Sequence, residues 1–104
     1  MIKNISVLGA GTMGHGIAEF FAMNGYPVNI YEPYEPMRKS CKDTVKGELD
    51  FLAENGLITK GDVEASLDRI TMYDDMAAAV KDADYVIEAL KEDLALKQGI
   101  FADL

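Results

Sequence analysis

A single cysteine, Cys41, rules out an internal disulfide and leaves a cysteine-based metal site without ligands. At its place in a helical pattern Cys41 reads as a small apolar side chain, and no metal is expected. Basic residues are also scarce, with 10 Lys and Arg against 18 Asp and Glu, for a net charge of −8. Binding to a phosphate backbone relies on clustered Lys and Arg, so this balance argues against nucleic acid as a partner. No apolar run approaches the roughly 20 residues of a membrane-spanning helix. The chain enters an apolar strand directly, without a basic, signal-like leader. These absences predict a cytoplasmic protein with no membrane partner. Repeats, low-complexity stretches and long linkers are missing too, and 104 residues suffice for one core.

What is present is organised around Val7-Leu8-Gly9-Ala10-Gly11-Thr12-Met13-Gly14, where an apolar run meets glycines at the spacing G-x-G-x-x-G. Ile5, Val7 and Leu8 read as a short buried strand. Met13, Ile17, Phe20 and Phe21 recur at helical spacing, predicting a helix from about Gly14 to Asn24 that Asn24-Gly25 stops. Strand, glycine turn and helix form the frame of a dinucleotide site. Its first glycine permits the sharp turn, the second lets backbone approach a pyrophosphate, and the third lets the helix pack close on the sheet. A pyrophosphate is held there by free N–H groups and the positive end of the helix dipole, equivalent to roughly half a charge. The acidic balance of the chain is therefore no obstacle.

A second strand is predicted over Val28 to Tyr31. Glu32 follows it at the place where an acid accepts hydrogen bonds from the adenosine ribose hydroxyls. That carboxylate would repel the 2′-phosphate of NADP, and the nearest Arg, Arg38, stands a turn further on, so NAD is the expected cofactor. From Pro36 to Glu54, Met37, Cys41, Val45, Leu49 and Leu52 trace one face of a long helix that Asn55-Gly56 ends. Thr59-Lys60-Gly61-Asp62 has the form of a capping box and opens a further helix burying Val63 and Leu67. The result is a helical hairpin where a minimal nucleotide fold has one crossover helix.

Arg69-Ile70-Thr71-Met72 reads as a third strand, and Asp74 or Asp75 as the cap of a small helix over Met76 to Val80. Asp82-Ala83-Asp84 is a polar turn before a fourth strand from Tyr85 to Ala89. Asp93 caps a last helix carrying Leu96, Ile100 and Leu104. The expected fold class is α/β, a Rossmann-type doubly wound parallel sheet. Strand order 3-2-1-4-5-6 requires two more strands, so the sequence is expected to be the first part of a longer domain. Glu88 reads either as a buried polar group at a strand end or as part of the nucleotide pocket. His15, the only histidine, is expected to cap or pack beside the glycine turn rather than act as a base.

Gly9-Ala10-Gly11-Thr12-Met13-Gly14-His15-Gly16-Ile17-Ala18, the hairpin, Leu67-Asp68-Arg69-Ile70 and the Glu-Ala-x-x-Glu-x-x-x-x-Lys pattern from Glu88 to Lys97 form a more specific combination. Together they resemble the NAD-binding domain of L-3-hydroxyacyl-CoA dehydrogenases, over essentially the whole chain. The resemblance implies that Gly9, Ala10, Gly11, Thr12, Met13 and Gly14 hold the pyrophosphate of NAD and Glu32 its adenosine ribose. Glu92 and Lys97 match positions lining the cofactor site toward the nicotinamide. Residues 1–104 would then be the N-terminal part of a single NAD-binding domain, without the C-terminal domain that closes the substrate cleft and makes the homodimer.

The family's histidine base, its orienting glutamate and the polarising Ser and Asn are expected beyond Leu104. The fragment alone is therefore expected to be inactive on acyl-CoA, while the complete protein oxidises 3-hydroxyacyl-CoA to 3-ketoacyl-CoA in β-oxidation or butanoate metabolism. The hairpin would lie along the CoA arm, although Lys39, Lys42 and Lys46 read as solvated. A non-enzymatic, crystallin-like relative and an NAD-dependent hydroxyacid dehydrogenase that does not use CoA are the alternatives.

Overall fold

A computed structural model describes residues 3–89. Four short parallel strands form one sheet in the order β3-β2-β1-β4: β1 (Ile5–Leu8), β2 (Val28–Tyr31), β3 (Ile70–Tyr73) and β4 (Tyr85–Glu88). Every residue of β1 is buried, as a central parallel strand covered on both faces requires. Leu8 pairs with Tyr31 and Glu88, and Tyr31 pairs with Tyr73, so the strands end level. Gly9, Glu32 and Ala89 therefore emerge along one edge of the sheet. The winding changes direction between β1 and β4, which makes that edge the switch point where ligands of open α/β sheets bind.

Helix α1 (Thr12–Met23) starts two residues before the position read from the sequence, because Gly11 already serves as its N-cap. Its buried stripe also differs from the expected one. Gly14, Ala18 and Ala22 face the sheet, whereas Met13 and Phe20 are each 60% exposed; Ile17 and Phe21 pack partly against the core. The cause is closeness. A Cβ on Gly14 would lie 1.9 Å from the Gly9 carbonyl oxygen, so only small side chains fit directly beneath the helix, Ile17 and Phe21 are only partly covered, and Met13 and Phe20 turn outward.

The helical hairpin is present as α2 (Glu35–Glu54) and α3 (Lys60–Asp68). Cys41, Val45 and Leu49 lie on the buried face of α2, with Met37 and Leu52 partly covered. Asn55 caps α2, and Gly56 takes φ 74°, a left-handed turn that glycine adopts without strain. The capping box of α3 is complete: Thr59 N–H donates to Asp62 Oδ2 at 2.9 Å and Asp62 N–H to Thr59 Oγ1 at 3.1 Å. Val63 is buried as expected, while Leu67 is only partly covered and Ser66 takes the buried place.

β3 starts one residue later than expected, because Arg69 caps α3 and donates from Nη1 to the Ala22 carbonyl at 2.7 Å, tying the hairpin to the end of α1. Asp75 caps α4 (Met76–Val80) by accepting the Ala78 N–H, and Ser6 Oγ donates to the Ala79 carbonyl at 2.6 Å. Asp84 accepts the N–H groups of Lys3 and Asn4 at 2.8 and 2.9 Å, aligning the starts of β1 and β4. No described helix is long and apolar enough to cross a membrane.

Candidate dinucleotide site

The glycine turn begins at Gly9, whose φ of 111° lies where L side chains are strained. Gly11 then adopts an extended conformation as the N-cap of α1, and no side chain caps this end. The first hydrogen bond into the helix runs from His15 N–H to the Gly11 carbonyl at 2.9 Å. Thr12, Met13 and Gly14 precede it, so their N–H groups belong to the set a helix N-terminus leaves for an outside acceptor. A Cβ on Gly11 would meet nothing within 4 Å, although the same atom on Gly14 would strike backbone. The protein thus leaves open space beside the second glycine and none beside the third. An uncapped, unobstructed positive helix end fits a pyrophosphate.

Glu32, only 6% exposed, reaches back from the end of β2 to this turn. Its Oε1 accepts the Ala10 N–H at 2.8 Å and its Oε2 the Tyr34 N–H at 2.9 Å. Its backbone is held equally, with its N–H on the Tyr73 carbonyl at 3.0 Å and its carbonyl accepting Arg38 Nη1 at 2.9 Å. Sequence reasoning placed Glu32 at the strand end but missed these contacts, which depend on the pairing of β1 with β2. Each carboxylate oxygen keeps a further lone pair, so ribose hydroxyls can be accepted in addition. Glu88 lies half-buried opposite Leu8 along the same edge. Glu92 and Lys97 lie outside the described residues, as does the last predicted helix.

Behind the turn sits a cluster that sequence reasoning did not assemble. His15 Nδ1 meets the Gly11 carbonyl at 2.8 Å, and its Nε2 meets Glu48 Oε2 at 3.2 Å. Glu19, one turn further along α1, faces Glu48 across the seam between α1 and α2 and holds its proton to a higher pH than an ordinary carboxyl. Burial foremost, then the hydrogen bond with Glu48 and its negative charge, push its pKa from 4.5 up to about 7, with His15 opposing. The same hydrogen bond, with help from His15, lowers that of Glu48. A depression of about 470 Å³ opens here, away from the glycine turn, lined by Glu19, Asp43, Glu48 and Phe51 among others. The i, i+4 spacing of His15 and Glu19 was visible in the sequence, but nothing local pointed to Glu48.

The raised group has a definite effect on stability. Between its ordinary value of 4.5 and about 7, folded Glu19 keeps a proton that the unfolded chain has released. Stability contributed by Glu19 is full below that window and falls as pH rises through it. Glu48 acts oppositely, its contribution being lost only as pH falls below the ordinary carboxylate range. Urea unfolding from about pH 5 to pH 8 should show a declining midpoint that Glu19→Gln flattens. An undiminished slope in Glu19→Gln would place the titration elsewhere.

The remaining candidates are plain. Cys41 is buried, and burial pushes its thiol up to about 11, which makes it inert. Lys39 pairs with Glu35 at 2.7 Å and Lys46 with Asp50 at 2.8 Å, exposed i, i+4 pairs along α2 that match the solvated reading. No cluster of potential metal ligands occurs among the described residues.

Comparison with known proteins bears directly on this geometry. Residues 4–104 match the model of the 3-hydroxyacyl-CoA dehydrogenase NAD binding domain. The chain belongs to this family. A 3-hydroxybutyryl-CoA dehydrogenase of Mycobacterium tuberculosis is 35% identical over 103 residues, covering 99% of this chain and 36% of the relative. A 3-hydroxyadipyl-CoA dehydrogenase of Escherichia coli is 34% identical over 99% of this chain and 22% of its own length. The crystal structure of (S)-3-hydroxybutyryl-CoA dehydrogenase from Ralstonia eutropha superposes with a TM-score of 0.89 at 32% identity, over 99% of this chain and 36% of that one. The chain therefore spans about a third or less of these relatives. NAD is the cofactor of this domain family, and the four-stranded Rossmann sheet is the part of the family fold that the described residues supply.

Proposed function

We propose that Gly9, Ala10, Gly11, Thr12, Met13 and Gly14 cradle the pyrophosphate of NAD, that Glu32 receives the adenosine ribose, and that Glu92 and Lys97 line the site toward the nicotinamide. Residues 1–104 are the first part of one dinucleotide domain in a longer 3-hydroxyacyl-CoA dehydrogenase. That enzyme is read as a cytoplasmic homodimer with an acyl-CoA substrate, active in β-oxidation or butanoate metabolism, its catalytic side chains lying beyond Leu104. The observation carrying this reading is the open space beside Gly11 at an uncapped helix end, with the Glu32 carboxylate bound to the same turn.

When bound, NAD supplies the acceptor for a hydride leaving the C3 hydroxyl carbon of the acyl chain. The residues of this chain bind and orient the cofactor. Glu32 favours a ribose carrying hydroxyls over one carrying a 2′-phosphate, because its negative charge repels the phosphate. Arg38, the nearby cation, is engaged by the Glu32 carbonyl.

Fluorescence titration of the chain with NADH and NADPH tests this reading. NADH should bind at least tenfold more tightly, and Glu32→Ala should weaken NADH by about 1–3 kcal/mol while narrowing the gap. Equal affinity for both nucleotides would contradict the role of Glu32.

A further inference from the structure

The contacts of His15 cannot all be satisfied by a neutral imidazole beside an ionised carboxylate. The Gly11 carbonyl is an acceptor only, so Nδ1, 2.8 Å away, must carry hydrogen. In the neutral ring Nε2 then holds a lone pair, which would face the Glu48 carboxylate at 3.2 Å. The other neutral tautomer satisfies Glu48 but sets the Nδ1 lone pair against the carbonyl. Both contacts exist together only with one more proton, on the ring or on Glu48.

We propose that His15, clasped by Glu48, is a positioning residue that couples the helical hairpin to the glycine turn and makes dinucleotide affinity depend on pH. The inference rests on the reading that this turn holds the dinucleotide phosphate. His15 acts through the Gly11 carbonyl, the group that receives the first hydrogen bond of α1 and so sets where the N–H groups of Thr12, Met13 and Gly14 point. The His15 side chain is 12% exposed and Glu48 is 48% exposed, so the clasp is buried on the turn side and open to protons on the hairpin side.

With the proton present, the clasp fixes the turn and adds positive charge within one turn of the helix end. With the proton lost, the Nε2 contact opens and that charge disappears. Glu19 on α1 and Asp43 on α2 share the seam with Glu48. From α3, Lys60 and Glu64 face a separate depression with Lys46 and Asp50. On the sheet side the charged group at the turn is Glu32, bound to Ala10. Glu48, its pKa lowered, is the carboxylate presented to His15, and Glu19→Gln, which silences the other group that titrates between pH 6 and pH 8, should leave the pH dependence in place.

The test is the dissociation constant of NADH at about pH 6 and about pH 8, where its pyrophosphate charge is constant, for the chain and two variants. Binding should weaken about threefold to fivefold across this range in the unaltered chain, the worth of one charge near a helix end. Glu48→Gln supplies an amide that donates to a neutral Nε2, so both contacts form without the extra proton and the pH dependence should vanish. His15→Gln should remove it as well, with weaker binding at the lower pH. NADH binding whose pH slope is the same in all three proteins, or flat in the unaltered chain, overturns the clasp while leaving the dinucleotide reading intact. Absence of NADH binding by the unaltered chain at both pH values overturns the reading and the clasp with it.

Discussion

Gly14→Ala is expected to destabilise the protein by about 3 kcal/mol or more and to abolish measurable NADH binding. The added methyl would sit 1.9 Å from the Gly9 carbonyl oxygen and 2.8 Å from its carbonyl carbon, with the Ala89 Cβ at 3.5 Å. Two of these atoms are backbone at the end of a central strand and cannot rotate away, so α1 must lift from the sheet. Lifting it loosens the close packing of Ala18 and Ala22, both fully buried, and moves the N–H groups of the first turn. Gly16→Ala is the matched comparison, because a Cβ there meets nothing within 4 Å. At a helix interior it should add about 0.5–1 kcal/mol of stability. Urea unfolding of the two variants checks both; equal stability would mean that α1 does not lie this close to the sheet.

Gly11→Ala should separate folding from binding. Gly11 has φ −70° and ψ −167°, a conformation open to alanine, and the new methyl would enter empty space. The only cost to folding is a less favoured N-cap residue, about 0.5 kcal/mol. The methyl would, however, occupy the approach to the uncapped N–H groups, where the pyrophosphate is proposed to lie. A purely structural glycine would show no such split between stability and binding.

Much of the fold was legible because its signals are local. The glycine spacing, the Asn24-Gly25 and Asn55-Gly56 stops and the Thr59–Asp62 capping box each depend on a few neighbouring residues, and each corresponds to an observed element end. The buried face of α1 was not legible from apolar periodicity. Proximity to the sheet selects Gly14, Ala18 and Ala22, so Met13 and Phe20 fall on the outer side while Ile17 and Phe21 are only partly covered. Hydrophobic periodicity assumes that burial is won by large side chains, and a helix packed through glycine and alanine inverts that rule.

Within the candidate site, the local order of strand, turn and helix was legible, and contacts between residues distant in sequence were not. Glu32 was placed at the end of β2, yet its bond to the Ala10 N–H spans 22 residues and follows from strand register. The His15–Glu48 contact spans 33 residues and follows from how the hairpin packs on α1. Neither leaves a trace in local composition.

Titration of NADH into the unaltered chain and Gly11→Ala side by side, with urea unfolding of both, decides whether the glycine turn is a dinucleotide cradle. Stabilities should agree within about 1 kcal/mol, and NADH affinity should be at least tenfold weaker in the variant. Equal NADH affinity in two equally stable proteins would contradict the cradle.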